Sequence, residues 1–303
     1  MEGQVLMDDF KFISIVIPSY NRIEKLKNCL TSIEHLDYPK EYYEVIVVDD
    51  GSTDMAYRNL EAIRTQFTYN LCIIRQKNGG PAIARNNGIR NARGELIAFT
   101  DDDCEVDKKW LKEGIRAFTS ESIVGVGGML VSKHNDIISQ YMDWNRILLP
   151  KVQYNRVIYL ITANAFYRKD SLIKVNGFNE KIKNPGGEDP DLSFKLIALG
   201  FELAVNKDSI VTHNHRLGIG SFYKTFYNYG RGTHVLYENW RNVVVIDEPT
   251  KTPLVFLIFD FRSLCRSILG RYKMKMRFRR SIVFALLDHI RMIAGTSGRR
   301  KGY

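Results

Sequence analysis

Four short apolar runs constrain this chain more than any other feature: "FISIVIPSY" (12–20), "YEVIVVDDGSTD" (43–54), "NLCIIRQ" (70–76) and "ELIAFTDDD" (95–103). They are rich in β-branched residues with little polar alternation, the pattern of strands covered on both faces. Helix-length segments separate them: 24–36, with Leu26, Leu30 and Ile33 at helical spacing, then 55–67, then a Gly-Pro turn and helix within 78–93. This alternation predicts an α/β fold with a mostly parallel central sheet and helices on both faces. Beyond it we expect helices at 108–119 and 189–199 and strands near 123–131, 157–168 and 202–212. Trp110 suits either core packing or stacking on a ligand.

Three runs end in polar clusters, Ser19–Asn21, Asp49–Asp50 and Asp101–Asp103. Parallel sheets bind ligands beyond the carboxyl ends of their strands, so these clusters are expected to share one rim. Three adjacent carboxylates repel one another and need water, basic groups or a cation to compensate them.

Charge divides the chain. Residues 251–303 carry 13 Lys/Arg against 2 Asp/Glu, and the rest carries 31 against 32. The basic character therefore belongs to the tail, which is the part expected to seek an anionic surface. Within it, "PLVFLIFDFRSLCRSILG" (253–270) puts Leu257, Phe261, Leu264 and Ile268 on one stripe, but Asp260, Arg262 and Arg266 make it a poor membrane span. "SIVFALLDHIRMIAG" (281–295) is also amphipathic. Such helices suit an interfacial position on an anionic membrane or a helical hairpin packed on protein. "FYNYGRG" (226–232) reads as a connecting segment whose glycines mark bends. The start shows no signal-peptide pattern, and Cys29, Cys72, Cys104 and Cys265 form no C-x-x-C pair. Reduced thiols in a cytoplasmic setting are expected.

In order and spacing, "VIPSYNR" (16–22), "VVDDGSTD" (47–54), "GGPAIARNNGI" (79–89), "FTDDDCE" (99–105), "GFNE" (177–180) and "GGEDPDLSFKLIALGF" (186–201) resemble the family 2 glycosyltransferases with the GT-A fold. The resemblance covers roughly residues 11–215 and implies a catalytic domain over 1–215; the charge and amphipathic pattern of the remainder give the expectation of a helical, basic, membrane-associated region over 216–303. The resemblance also implies inverting transfer of a sugar from a nucleoside-diphosphate donor with a divalent metal, Mn²⁺ or Mg²⁺. The family's D-x-D motif falls on Asp101-Asp102-Asp103, with Asp103 on the metal and Asp101 on the ribose or on the metal through water. Asp102 holds the middle position, often a small residue in relatives. Pro18, Ser19, Tyr20, Asn21 and Arg22 are placed beside the nucleotide. Asp49 or Asp50 is to accept from the base N–H, which suits uracil, so a UDP-linked donor is expected. Gly79 and Gly80 let the backbone approach the ligand, and Arg85 reaches the nucleotide or its phosphates. An inverting transfer needs one base. The family's acidic pair falls on Glu188-Asp189, with Asp189 as base, Glu188 binding acceptor or orienting the base, and Asp191 the second choice. "TAN" (162–164) lies where relatives approach the acceptor. His213, or His215 beside it, is the candidate third metal ligand.

The expected acceptor is a glycan or lipid-linked glycan at the inner face of the cell membrane, in surface polysaccharide or glycoconjugate synthesis. No nucleic acid is expected. "ENWR" (238–241) does not match the Q-x-x-R-W motif of the processive membrane synthases, so transfer of one or a few sugars is expected. The rivals are a nucleotidyltransferase, which would need a Gly-rich basic signature that "VIPSYNR" lacks, and a non-catalytic nucleotide-sugar-binding protein, against which the intact acids at 101–103 and 188–189 argue.

Overall fold

The computed structural model describes residues 10–53, 62, 64–183, 186–215, 218–241, 261–274 and 276–301, the side chains of 261–264 and 301 excepted. The chain divides into two compact units. One comprises Met1–Lys133, Leu148–Lys183 and Asp189–Asn214, and the other His134–Ile147, Asn184–Glu188 and His215–Tyr303.

The first unit is built on an eight-stranded sheet. Its strands are β1 (Ile13–Ser19), β2 (Tyr43–Asp49), β3 (Asn70–Arg75), β4 (Leu96–Phe99), β5 (Cys104–Val106), β6 (Ile123–Ser132), β9 (Ala165–Arg168) and β10 (Glu202–His213). Their spatial order is β3-β2-β1-β4-β9-β6-β10-β5. β3, β2, β1 and β4 run parallel, as do β6 and β10. β9 is antiparallel to both its neighbours, and β5 is antiparallel to β10. β7 (Lys151–Gln153) and β8 (Arg156–Tyr159) form a separate hairpin. Helices α1 (Ile23–Glu34), α2 (Pro81–Asn91), α3 (Trp110–Arg116), α5 (Lys169–Lys174) and α6 (Glu188–Ala198) accompany the sheet.

Strand alternation sorts the apolar runs into two cores. Ile13, Ile15 and Ile17 join Val45, Val47 and the Leu26, Leu30 and Ile33 stripe of α1. Val16 joins Ile46, Val48, Ile97 and Phe99 with Ala82, Ala84 and Ile89 of α2. The sheet is therefore covered on both faces, as the unbroken apolar runs require. Trp110 lies wholly in the first core, with its indole N–H donating to Asn164 Oδ1 at 2.9 Å, so core packing is its role.

Several expectations shift. The strand expected over 157–168 breaks into β8 and β9 around a 3₁₀ turn at Thr162–Asn164, where Asn164 turns inward to meet Trp110. The run at 95–103 leaves the sheet after Phe99. Of the helix expected over 55–67, residues 54–61 and 63 lie outside the described residues, and Arg64–Gln66 form a 3₁₀ turn.

The second unit contains α4 (Ile137–Trp144), α7 (Ile219–Trp240), α8 (Phe261–Lys273) and α9 (Phe278–Lys301). The segment 226–232 is not a bent connector but the middle of α7. Its glycines permit close contact: a Cβ on Gly230 would meet the Gly295 carbonyl oxygen of α9 at 2.0 Å, and one on Gly232 the Gly186 carbonyl oxygen at 2.1 Å. Tyr141 packs edge-on against Phe222 and Phe284, and its hydroxyl donates to Asp288, which also receives Arg271. The tail's amphipathic helices thus pack into a helical unit. Leu257 of the expected stripe lies outside the described residues. Among the described residues, no helix is long and apolar enough to cross a membrane.

Candidate active site

The parallel register brings the expected clusters to one rim. Ser19 is the sheet partner of Asp49, and Phe99, two residues before Asp101, pairs with Val16. After Phe99 the chain turns, closed by the Cys104 N–H donating to the Asp101 carbonyl. The three carboxylates therefore sit in a turn, where strand alternation does not govern them. β5 then pairs antiparallel with the end of β10 and sets Cys104 opposite His213. That register delivers a histidine beside Asp103: His213 Nε2 lies 3.3 Å from Asp103 Oδ1.

Basic side chains compensate the acidic triad. Arg22 Nη1 donates at 2.9 Å to both Asp102 and Asp103. Lys25 Nζ lies 3.7 Å from Asp103 and donates to the Asn214 carbonyl. Arg85 Nη2 donates at 2.8 Å to Asp101. Lys25 escaped the sequence reading; its signal is its position, three residues after Arg22 in the first turn of α1, which puts both cations on one side.

The buried neighbours Asp102 and Asp103 titrate in opposite directions. Burial pushes Asp102 up to about 6; Arg22 and the Ser19 hydroxyl oppose this, while Asp103 and Asp101 add to it. Burial also acts against ionised Asp103, but the His213 hydrogen bond and charge, followed by Arg22 and Lys25, override it and hold that carboxyl well below the usual range. Of these two, Asp103 is therefore the more firmly ionised, whereas Asp102 is spent on Ser19 (2.9 Å) and Arg22.

Ligand atoms of Asp103, Cys104 and His213 lie within 4.8 Å of one another. Burial pushes the Cys104 thiol well up, and a soft sulfur donor suits a hard divalent cation poorly. A carboxylate oxygen and an imidazole nitrogen remain, a set that fits Mn²⁺ and comparable cations. Asp101, more exposed than Asp102 and Asp103, adds a carboxylate on the same turn.

The two acids after β2 have separate roles. Asp50 is saturated: Gln76 Nε2 and the Gly79 N–H donate to Oδ1, and Asn78 Nδ2 and the Gly80 N–H to Oδ2. It holds the Gly79–Gly80 turn, and these two amides serve it. Gly80 has φ +94°, and a Cβ there would stand 2.2 Å from the Lys183 carbonyl oxygen, so only glycine fits. Asp49 accepts from the Ser52 N–H through Oδ1, while its buried Oδ2 has no hydrogen-bond partner among the described residues; Arg75 Nε stands 3.6 Å away. Asn21, at φ +52°, ties the loops after β1 and β2 together: its N–H donates to the Ser52 hydroxyl, and its side chain exchanges hydrogen bonds with Thr53. Pro18 is half-buried, and Tyr20 is exposed at the rim.

Asp189 stands at the start of α6. Its Oδ1 accepts from the Thr162 hydroxyl at 2.7 Å and its Oδ2 from the Thr162 N–H at 3.1 Å. Arg85 Nη1 lies 3.9 Å away, so this buried guanidinium links Asp101 to Asp189. Burial raises the Asp189 carboxyl, with Arg85 and Thr162 opposing. Asp191 is buried and pairs with Lys195 at 3.3 Å, one turn along. Glu188, in the second unit, accepts from the Gly186 N–H at 2.7 Å. His215 is buried.

Known proteins resemble this chain at two levels. A glycosyltransferase of Haloferax volcanii, AglE, is 28% identical over 223 residues, covering 73% of this chain and 72% of its own length. The poly(ribitol-phosphate) β-N-acetylglucosaminyltransferase TarS of Staphylococcus aureus is 30% identical over 207 residues, covering 64% of this chain but 34% of its own length. In structure, the mannosyltransferase PcManGT of Pyrobaculum calidifontis, solved with GDP-Man and Mn²⁺, superposes with a TM-score of 0.69 at 14% identity, covering 96% of this chain and 87% of its own. That last likeness speaks for the GT-A fold alone. Residues 14–175, more than half of the sequence, match the profile of a single family, and on that match the chain belongs to glycosyl transferase family 2.

Proposed function

We propose that this enzyme transfers a sugar, with inversion, from a nucleoside-diphosphate donor to a glycan or lipid-linked glycan, and that it needs a divalent cation to do so. The observation that carries the reading is the rim itself, where the Asp103 carboxylate stands beside His213 and a buried Asp189 is joined to Asp101 by Arg85. Asp103 and His213, with Asp101, are the residues to hold the cation. Bound there, a cation would offset the charge of the departing nucleoside diphosphate.

The chain's own groups supply the rest. Asp189 is the base that takes the acceptor hydroxyl's proton; Thr162 fixes both its oxygens and so orients it. Arg85 keeps the base and the donor side in register. Asp49 is the acid for the nucleotide base, because its Oδ2 is a buried acceptor with no hydrogen bond among the described residues, whereas Asp50 is consumed by the loop it shapes. An acceptor aimed at a base N–H suits uracil, so the donor is UDP-linked. AglE and TarS are both named as glycosyltransferases, and TarS has been solved in complex with UDP-GlcNAc. Residues 1–215 form the catalytic part, and the basic region 216–303 attaches it peripherally to the inner face of the cell membrane.

The test is release of free UDP from UDP-sugars with Mn²⁺ and with EDTA. The reading expects release that EDTA abolishes. Equal release in EDTA refutes the cation's part, and release of pyrophosphate instead refutes sugar transfer.

A further inference from the structure

Among its described residues, the second unit carries an exposed apolar and basic surface. Residues 261–287 contain eight Lys/Arg and no Asp or Glu. The inward faces of the α8–α9 hairpin are used: Met276, Phe284, Ala285 and Leu287 are buried. Where α8 ends and α9 begins, the opposite holds. Leu269, Tyr272, Met274 and Phe278 are each more than half exposed. Tyr272 and Phe278 meet edge to face at 5.9 Å, so the two aromatic rings share one surface across the hairpin's tip. Arg266, Lys273, Arg277 and Arg279 are exposed around them.

Exposed aliphatic and aromatic side chains cost solvation in water, and clustered cations repel one another. Both penalties fall at an anionic lipid surface, where apolar tips enter the headgroup region and Lys and Arg meet phosphates. A nucleic acid would satisfy the cations and the rings but leave Leu269 and Met274 in water. A helix lying flat with its long apolar stripe in lipid is not available to α9, because that stripe is packed against α7. We propose that the tip of the α8–α9 hairpin, Leu269, Tyr272, Met274 and Phe278 with the surrounding cations, is the docking surface for an anionic membrane. This rests on the membrane attachment proposed above and narrows it to a patch.

The experiment is flotation of the full chain with vesicles of phosphatidylcholine alone or with about a third phosphatidylglycerol. Wild-type protein is expected on the anionic vesicles and not on the neutral ones. Combined Tyr272→Ser, Met274→Ser and Phe278→Ser should lower the anionic partition coefficient about tenfold or more. Arg277→Gln with Arg279→Gln should lower it and flatten its dependence on phosphatidylglycerol. Tyr154→Ser, a still more exposed ring in the first unit, should leave it unchanged, and unaltered UDP release by every variant shows that each one folds. Wild-type flotation unmoved by the tip variants overturns the patch while leaving membrane attachment standing. Absence of wild-type flotation overturns both. Tighter binding to a single-stranded oligonucleotide than to the vesicles, or a tip-dependent dimer in sedimentation, assigns the surface to another occupant and also overturns the proposal.

Discussion

Arg22 shows how much of this site is decided by single contacts. Its guanidinium bridges two adjacent carboxylates and occupies the position of charge that a divalent cation is proposed to take over. A full positive charge about 3 Å from the ligand oxygens competes with any incoming cation at the low effective dielectric of a buried site. Arg22→Gln is therefore expected to strengthen Mn²⁺ binding without nucleotide by about tenfold, read from the loss of the free-ion electron paramagnetic resonance signal; unchanged affinity would contradict it. Asp189→Asn is expected to keep donor affinity while turnover falls on the order of 10²–10⁴-fold, the contribution of a positioned base; wild-type turnover would move that role to Asp191. Thr162→Val tests the setting of the base through pH. Burial raises the Asp189 carboxyl, and the Thr162 hydroxyl bond favours its charged form. Removing that bond raises it further, so the acidic limb of the turnover profile should move to higher pH, with the loss greatest on the acid side. The nearness of Asp101–Asp103 to the ends of β1 and β2 was legible because acids at strand ends announce themselves, whereas Asp189, at a helix start, and His213 were named from the family resemblance. Sequence reading did not separate Asp49 from Asp50, since that depends on which loop amides each one meets.

At the scale of elements, the strands β1 to β4 were legible because strands buried on both faces leave unbroken apolar runs, and α1 was legible from its stripe. β5 was not, and β9 was legible only as the end of one longer strand over 157–168. β5 has three residues, too few to carry a pattern, and both strands owe their place to sheet neighbours far along the chain. The stretch 226–232, a helix rather than a bend, differs for another reason. Glycine in a sequence signals a bend or a close approach, and only the partner helix decides which. Here Gly230 lies against the backbone of α9. Gly230→Val should destabilise the fold by about 2 kcal/mol or more, the cost of forcing a side chain into a filled contact. Gly270→Ala in α8, with nothing within 4 Å of the added Cβ, should instead stabilise by about 0.5–1 kcal/mol. Denaturant midpoints measure both, and equal shifts would contradict the packing argument.

Across the whole molecule, charge and chemistry are segregated. The rim of the first unit gathers acids and their compensating cations on a nearly neutral stretch of sequence, and the excess positive charge stands in the tail. On the proposed function, such a division would give the anionic donor and the anionic surface different stretches of the chain. It was readable from the sequence because it needs only a count of charges by position. The packing of the tail's helices into a unit was not, since an amphipathic stripe does not say whether lipid or protein covers it.

The central claim is that ionised Asp103 and its neighbours hold a divalent cation through which the nucleotide is gripped. Thermal unfolding of wild-type protein and of Asp103→Asn, each with UDP in Mn²⁺ or in EDTA, tests it most directly, because a ligand bound by the folded state raises the midpoint. UDP should raise the wild-type midpoint with Mn²⁺ and not with EDTA, and Asp103→Asn should abolish the difference. A UDP shift of equal size in Mn²⁺ and EDTA, in both proteins, would contradict it.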